Sequence, residues 1–86
     1  MYCVYVLKSE KDGKLYIGIT SDLKRRLAEH NAGANQSTKH RGQFQLIYYE
    51  VYRSKKDALT RERKLKQFKN AYAELRKRIQ NSFESA

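Results

Sequence analysis

The feature that most constrains the fold of this chain is a set of three short segments rich in β-branched and aromatic residues. They cover residues 2–8, 14–19 and 44–52, and segments of this length and composition are typical of β-strands. A turn signal, Asp12-Gly13, separates the first two and predicts an antiparallel hairpin. Because a sheet this small needs a hydrophobic partner layer, the sequence predicts one sheet covered by helices from the rest of the chain.

The remaining segments carry apolar side chains at helical spacing. The first predicted helix covers residues 22–31, with Thr20 or Ser21 as its N-cap, and the second covers residues 55–80 after a cap at Ser54. Neither Gly nor Pro interrupts the second segment, so it is either one helix or two helices divided at Lys69-Asn70. The predicted fold is therefore α/β in the α+β sense, a three-stranded antiparallel sheet with flanking helices in the order β-β-α-β-α or β-β-α-β-α-α.

Three ionisable residues occupy positions where helical periodicity places apolar side chains. Arg26 and His30 do so in the first helix, and Glu62 does so in the second. A helix that only packs against a sheet keeps such groups off its buried stripe. Gly18 is a related sign, because glycine weakens a strand unless something approaches the backbone closely. These positions point to a functional site, with Glu62 either at the edge of the core or lining a cleft.

The charge of the chain points to a polyanionic partner. Nineteen Lys and Arg against nine Asp and Glu give a net charge of +10, and such an excess on a small surface favours nucleic acid over a membrane surface. A long polar segment, residues 31–43, is predicted to be a loop. The candidate nucleic-acid contacts are Gly18, Arg25, Lys39, His40 and Arg41. The alternative interpretation of Lys39, His40 and Arg41 is a solvated loop without a binding role.

The chain of 86 residues is expected to form a single domain over residues 1–80, with residues 81–86 as a frayed tail. No apolar run approaches the roughly 18 residues of a membrane span. Cys3 is the only cysteine, so it forms no disulfide within the chain and is expected to pack in the first strand. This cysteine usage favours the reducing cytoplasm. The histidines and Cys3 lack the spacing of a zinc site.

The ordered set Tyr5, Tyr16, Arg26, His30 and Glu62 resembles the motif of the GIY-YIG nuclease domain. The resemblance covers about residues 1–80 by motif order and spacing. In size and basic charge the chain is most similar to the small stand-alone bacterial members, the UPF0213-like group. The first triplet departs from the family pattern, since it reads Cys3-Val4-Tyr5 where the family name implies Gly-Ile-Tyr.

Two further departures concern other catalytic positions. Ile19 follows Gly18 where excision-repair relatives carry a lysine. Many relatives also have an asparagine near the end of the domain, and neither Asn70 nor Asn81 is assigned to that position.

The resemblance implies metal-dependent cleavage of a phosphodiester and a role for each matching residue. Glu62 would hold a single divalent cation, Mg²⁺ or Mn²⁺, and a lone carboxylate suits Mg²⁺ because this ion keeps most of its waters. Arg26 would neutralise charge on the phosphate, and His30 would assist proton transfer. Tyr5 and Tyr16 would orient or activate water, one of them as general base, although a phenol with a pKa of about 10 needs favourable surroundings for that task.

Two hypotheses of different classes follow. The first is an endonuclease acting on DNA rather than RNA, with structure selectivity and a link to DNA repair or processing. The second is a non-catalytic nucleic-acid-binding module on the same fold, with steeply salt-dependent binding. Each candidate also has a purely structural explanation: the tyrosines as cross-strand aromatics, Arg26 as a surface arginine, His30 as a helix-end histidine, and Glu62 as the partner of Lys66. The oligomeric state is left open.

Overall fold

The computed structural model describes residues 1–33 and 42–86 and contains one antiparallel sheet with helices on both faces. The strands are β1 (Tyr2–Ser9), β2 (Leu15–Thr20) and β3 (Phe44–Tyr52), and the helices are α1 (Leu23–Asn31), α2 (Lys55–Gln67), α3 (Lys69–Arg78) and α4 (Gln80–Ser85). The strand order is β2-β1-β3, with both pairs antiparallel. The predicted fold class is confirmed. No helix in the described ranges is long and apolar enough to cross a membrane.

The central strand β1 is covered on both faces, which explains its continuous run of hydrophobic residues. Side chains alternate between the faces of a strand, so Val4 and Val6 point into one core cluster and Tyr5 and Leu7 into another. The first cluster is closed by α2 and α3, and the second by α1. All four residues are at most 1 % exposed. Buried and exposed residues therefore do not alternate along this part of β1, and all of residues 4–7 are buried.

An irregularity in β3 changes which of its residues face each layer. The pairing register shifts between Val6 and Leu7 of β1, where Ile47 of β3 is the unpaired extra residue. Phe44 before this point lies in the α1-side cluster. Tyr48 beyond it packs on the α2-side cluster, although both residues have even numbers. One strand thus supplies side chains to both cores.

The helix boundaries follow local capping chemistry. The N-cap of α1 is Asp22, whose carboxylate accepts a hydrogen bond from the Arg25 backbone N–H at 3.1 Å, so the predicted caps Thr20 and Ser21 were wrong. Thr20 instead accepts from the Asp22 N–H at 3.0 Å. The predicted cap Ser54 is confirmed at the start of α2.

The long C-terminal segment is divided into separate helices. The break lies at Phe68, whose backbone is extended (φ −112°, ψ 114°), one residue before the predicted division. The tail predicted to be frayed forms α4, because Phe83 contacts two cations: its ring centroid lies 4.4 Å from Lys8 Nζ and 4.0 Å from Arg76 Cζ. Lys8 Nζ also donates to the Phe83 carbonyl at 2.9 Å.

A carboxylate with four donors ties β3 to α2. The Glu50 carboxylate accepts hydrogen bonds from Nε and Nη2 of Arg61, at 2.9 and 3.0 Å. It also accepts hydrogen bonds from the hydroxyls of Tyr48 and Tyr52, each at 2.6 Å. Burial alone would raise the pKa of Glu50, but the bonds from Arg61 and the two tyrosines outweigh it and lower the pKa from 4.5 to about 2. Because Arg61 precedes Glu62, this contact also fixes the turn of α2 that carries Glu62.

We expect Glu50→Gln to lower the free energy of unfolding by about 2–3 kcal/mol at pH 7, since the amide loses the charge that Arg61 neutralises. The folded pKa lies below the unfolded value, so this stability is present above pH 4.5 and is lost as the pH falls toward 2. Urea titrations at pH 7, 4.5 and 2.5 measure the difference. Glu74→Gln, at an exposed acid, is the control, and a difference independent of pH would contradict the assignment.

Candidate active site

The site is built around a tyrosine that lies over a glycine of the neighbouring strand. Tyr5 of β1 pairs with Gly18 of β2, and a Cβ on Gly18 would lie 2.5 Å from Tyr5 Cζ and clash with the hydroxyl. Only a residue without a side chain admits the phenol in this position. The close approach predicted at Gly18 is therefore that of Tyr5, while a contact from Gly18 to nucleic acid stays a prediction.

The Tyr5 hydroxyl joins the two ionisable residues that interrupt the apolar stripe of α1. It lies 2.9 Å from His30 Nε2, and it accepts from Arg26 Nε at 3.4 Å. With the His30 proton on Nδ1, the Tyr5 O–H donates to Nε2 while its oxygen accepts from Arg26. The three groups then form one polarised chain, guanidinium to phenol to imidazole. Residues i and i+4 of a helix share a face, which is why Arg26 and His30 both reach the same atom.

His30 is enclosed by aromatic rings and is 1 % exposed. Its ring centroid lies 4.9 Å from that of Tyr16 and 5.9 Å from those of Tyr5 and Phe44. Burial lowers the pKa of His30 below 6.5, and the charge of Arg26 lowers it further. The imidazole is therefore neutral at pH 7, the state in which it accepts a proton.

Tyr5 is itself a protonated phenol at neutral pH. Burial raises its pKa above 10; the hydrogen bond from Arg26 opposes this, and the charges of Tyr16 and Glu62 add to the rise. The basic surroundings thus do not by themselves produce a phenolate here. Tyr5 can take a proton from another group only while it passes its own to His30.

Arg26 lies at the accessible side of this chain of contacts. Its side chain is 36 % exposed and its Nη1 lies 3.3 Å from Glu29 Oε1, an acid that also pairs with Arg25 at 3.7 Å. The guanidinium keeps further N–H groups for an incoming ligand, since it has five. Arg25 is exposed one position earlier on α1, which is compatible with the predicted contact to nucleic acid but does not test it.

Tyr16 and Glu62 face the same region from β2 and α2. The Tyr16 hydroxyl makes no hydrogen bond to any residue in the described ranges, and its ring lies 5.8 Å from Lys66 Nζ. Glu62 is 17 % exposed, and its Oε2 lies 3.4 Å from the same Lys66 nitrogen. Lys66 thus contacts both residues and places Glu62 beside Tyr16, and the charge of Glu62 also raises the pKa of Tyr5.

The donor set fits a mostly hydrated cation. Within residues 1–33 and 42–86 no three His, Cys, Asp or Glu side chains converge as a metal cage, whereas Mg²⁺ commonly binds one or two carboxylates and keeps its waters. Glu62 offers one partly buried carboxylate. Its partner Lys66 has a 48 % exposed side chain on a flexible stem, so the ammonium can move into solvent and leave the carboxylate to a cation.

The structure thus brings together the five candidate catalytic residues, Tyr5, Tyr16, Arg26, His30 and Glu62. The candidate contacts Lys39, His40 and Arg41 lie outside the described residues. Sequence reasoning missed Phe44, which forms a wall of the His30 pocket, and the only sequence signal was its place at the start of a strand.

Comparison with known proteins gives consistent matches. The family model described as "GIY-YIG catalytic domain" matches residues 1–81. The UPF0213 protein SSP2268 of Staphylococcus saprophyticus is 41 % identical over 66 residues, covering 76 % of this chain and 79 % of that protein. The UPF0213 protein SpyM50708 of Streptococcus pyogenes is 45 % identical over 75 residues, covering 80 % of each.

A solved structure shares the fold. It is the solution NMR structure of the UPF0213 protein BH0048 from Bacillus halodurans, with a TM-score of 0.54 and 32 % identity, and the match covers 87 % of this chain and 81 % of that one.

We expect Gly18→Ala to destabilise the fold by roughly 1–3 kcal/mol, because the new methyl overpacks against the buried Tyr5 ring. The penalty should largely disappear in a Tyr5→Ala background, since the two substitutions act on one contact. Urea titrations of the wild type, both single variants and the double variant complete the cycle. An equal penalty in both backgrounds would refute the contact.

We expect His30 to titrate below pH 6.5 and to stay neutral at pH 7. Because the pKa of His30 is lower in the folded state, the protein gains stability from neutral His30. This contribution to the free energy of unfolding is complete above the unfolded-state pKa of about 6.5 and declines as the pH falls toward the folded-state pKa. Histidine ¹³Cε1 chemical shifts measure this directly, and His40→Gln leaves a single signal. A His30 pKa above 6.5 would contradict the neutral imidazole.

Proposed function

The chain belongs to the GIY-YIG family of nucleases, and from this premise we propose that it is a metal-dependent endonuclease that hydrolyses phosphodiester bonds in DNA. The observation that carries the proposal is the hydrogen-bonded chain from Arg26 through Tyr5 to His30, with Glu62 acting electrostatically on the same phenol. A purely structural set of side chains would not need an accessible cation, a neutral base and a carboxylate around one hydroxyl.

Arg26 is the residue that we propose binds the scissile phosphate. It is the cation of the hydrogen-bonded chain, its side chain is partly exposed, and Tyr5 and Glu29 fix its orientation. A positioned guanidinium stabilises the negative charge that develops as water attacks phosphorus, and it does so most strongly at a site where other groups exclude solvent.

The two tyrosines take different parts in the proposed mechanism. The Tyr16 hydroxyl, which has no hydrogen-bond partner within the described ranges, would orient the attacking water. The Tyr5 hydroxyl would accept a proton from the reacting side as it donates its own to His30 Nε2, 2.9 Å away. Because His30 is neutral at pH 7, its Nε2 is free of a proton and can accept this one.

Glu62 is the proposed ligand of a single Mg²⁺ or Mn²⁺ ion. When bound there, the cation would supply positive charge for the phosphate oxygens and the leaving group. Glu62 would have to exchange Lys66 for this ion, because its carboxylate is paired with that ammonium.

We propose that the substrate is DNA rather than RNA, selected by structure, with a place in DNA repair or processing and a cytoplasmic location. The net charge of +10 supports a phosphate backbone as the main determinant of affinity. The Glu62–Lys66 pair also favours a second candidate, a nucleic-acid-binding module without turnover, because an acid already paired with lysine binds a cation less well.

We expect Glu62→Gln and Arg26→Ala each to lower the rate of Mg²⁺-dependent plasmid nicking by at least roughly 100-fold, since each removes a charge aimed at the reacting phosphate. The measurement compares supercoiled plasmid and branched duplexes with Mg²⁺ and with chelator.

Glu74→Gln and Arg63→Ala are matched controls at exposed positions and should cleave like the wild type. Equal trace nicking in every preparation would identify a contaminant and reject the nuclease. Salt-sensitive binding of DNA without nicking by the wild type would favour the binding module.

A further inference from the structure

A groove along the outer side of β2 adjoins the catalytic cluster and, apart from Tyr16 and Lys66, takes no part in the mechanism above. It encloses about 520 Å³ and lies between β2, the end of α2 and the start of α3. Three aromatic side chains line it, Tyr16, Phe68 and Tyr72, together with two cations, Lys66 and Lys69. We call this the edge groove. Tyr16 is shared with the catalytic cluster, so the two sites are continuous.

Phe68 is the residue that local structure does not explain. It occupies the N-cap position of α3, where Ser, Thr, Asp or Asn would bond a free backbone N–H, and no side chain caps this helix. The residue is nevertheless 57 % exposed. Phe68 thus adds an exposed ring to a groove that Tyr16 and Tyr72 also line, and contiguous apolar surface of this kind marks a binding groove.

The charges around the groove indicate what kind of ligand it can bind. Among residues 1–33 and 42–86, no acidic side chain lines it, while Lys66 and Lys69 line it and lie on either side of Phe68 in the sequence. A second copy of the chain is disfavoured, because each copy carries a net charge of +10. Aromatic rings flanked by cations match an unpaired nucleotide, whose base stacks on the rings while its phosphates contact the lysines.

We propose that the edge groove binds one unpaired nucleobase of the nucleic-acid substrate, beside the phosphate that is cleaved, with Phe68 as the stacking surface. This inference rests on the proposed function for its position relative to cleavage. Paired bases cannot enter, because both of their faces are already stacked in the duplex. The groove would therefore direct the enzyme to strands that carry an unpaired nucleotide next to the scissile bond.

Binding can be tested without cleavage. The probes are single-stranded DNA octamers with 2-aminopurine at each position in turn, titrated with the wild-type protein in EDTA. We expect fluorescence quenching at a defined position, as for a stacked base. Phe68→Ala should abolish the quenching and weaken binding roughly 5- to 150-fold, whereas Phe68→Tyr should retain both.

Leu59→Ala, which truncates an exposed apolar side chain of α2 outside the groove, is the matched control and should bind like the wild type. Circular dichroism and thermal melting confirm that each variant is folded. Unchanged affinity and quenching in Phe68→Ala would overturn the proposal. So would a dimer of the wild type in sedimentation equilibrium that Phe68→Ala dissociates, since a second copy would then occupy the groove.

The two proposals can fail separately. Quenching that depends on Phe68 in a protein that never nicks DNA would support the groove and reject the nuclease. Metal-dependent nicking with no effect of Phe68→Ala on binding would support the nuclease and reject the groove.

Discussion

The arrangement of the site depends on the contact that places the Tyr5 phenol over Gly18 and against His30. The missing side chain at Gly18 leaves room for the ring, and the hydrogen bond to His30 at 2.9 Å joins the central strand to α1. Arg26 is oriented by the same hydroxyl. A change at any of these positions therefore alters the position of the others. Gly18 is the glycine of Tyr16-Ile17-Gly18, the triplet that matches the second half of the GIY-YIG motif. Because it has no side chain, it leaves room for Tyr5 of the neighbouring strand.

The sheet separates two electrostatic clusters of opposite character. On the α1 side, a guanidinium, a phenol and a neutral imidazole meet, and burial keeps the last two uncharged. On the α2 side, Glu50 and Arg61 are held as a fully bonded ion pair. The first cluster can change its protonation during a reaction, whereas the second stays charged over a wide pH range. The proposed catalysis and the anchoring of α2 thus involve different groups, although Arg61 and Glu62 are adjacent.

The strands, the helices and the candidate site residues could be predicted where the spacing of apolar and polar residues along the chain is enough to indicate the structure. Arg26, His30 and Glu62 could be identified because ionisable residues on an apolar stripe have few structural explanations. The missed features depend on contacts between distant residues. The α4 helix exists because Phe83 meets Lys8, and no periodicity within the tail contains that information. The raised pKa of Tyr5 likewise follows from burial, which spacing along the chain does not reveal.

The extra residue Ile47 in β3 has a consequence for how this domain can vary. It divides the strand into a half that supplies Phe44 to the His30 pocket and a half that supplies Glu50 to α2. An insertion or deletion in the chain before Phe44 does not change the pairing of either half of β3 with β1. Loss of one residue at the bulge would instead exchange inward and outward positions in one half. Insertions and deletions should thus be tolerated before the strand and selected against within it.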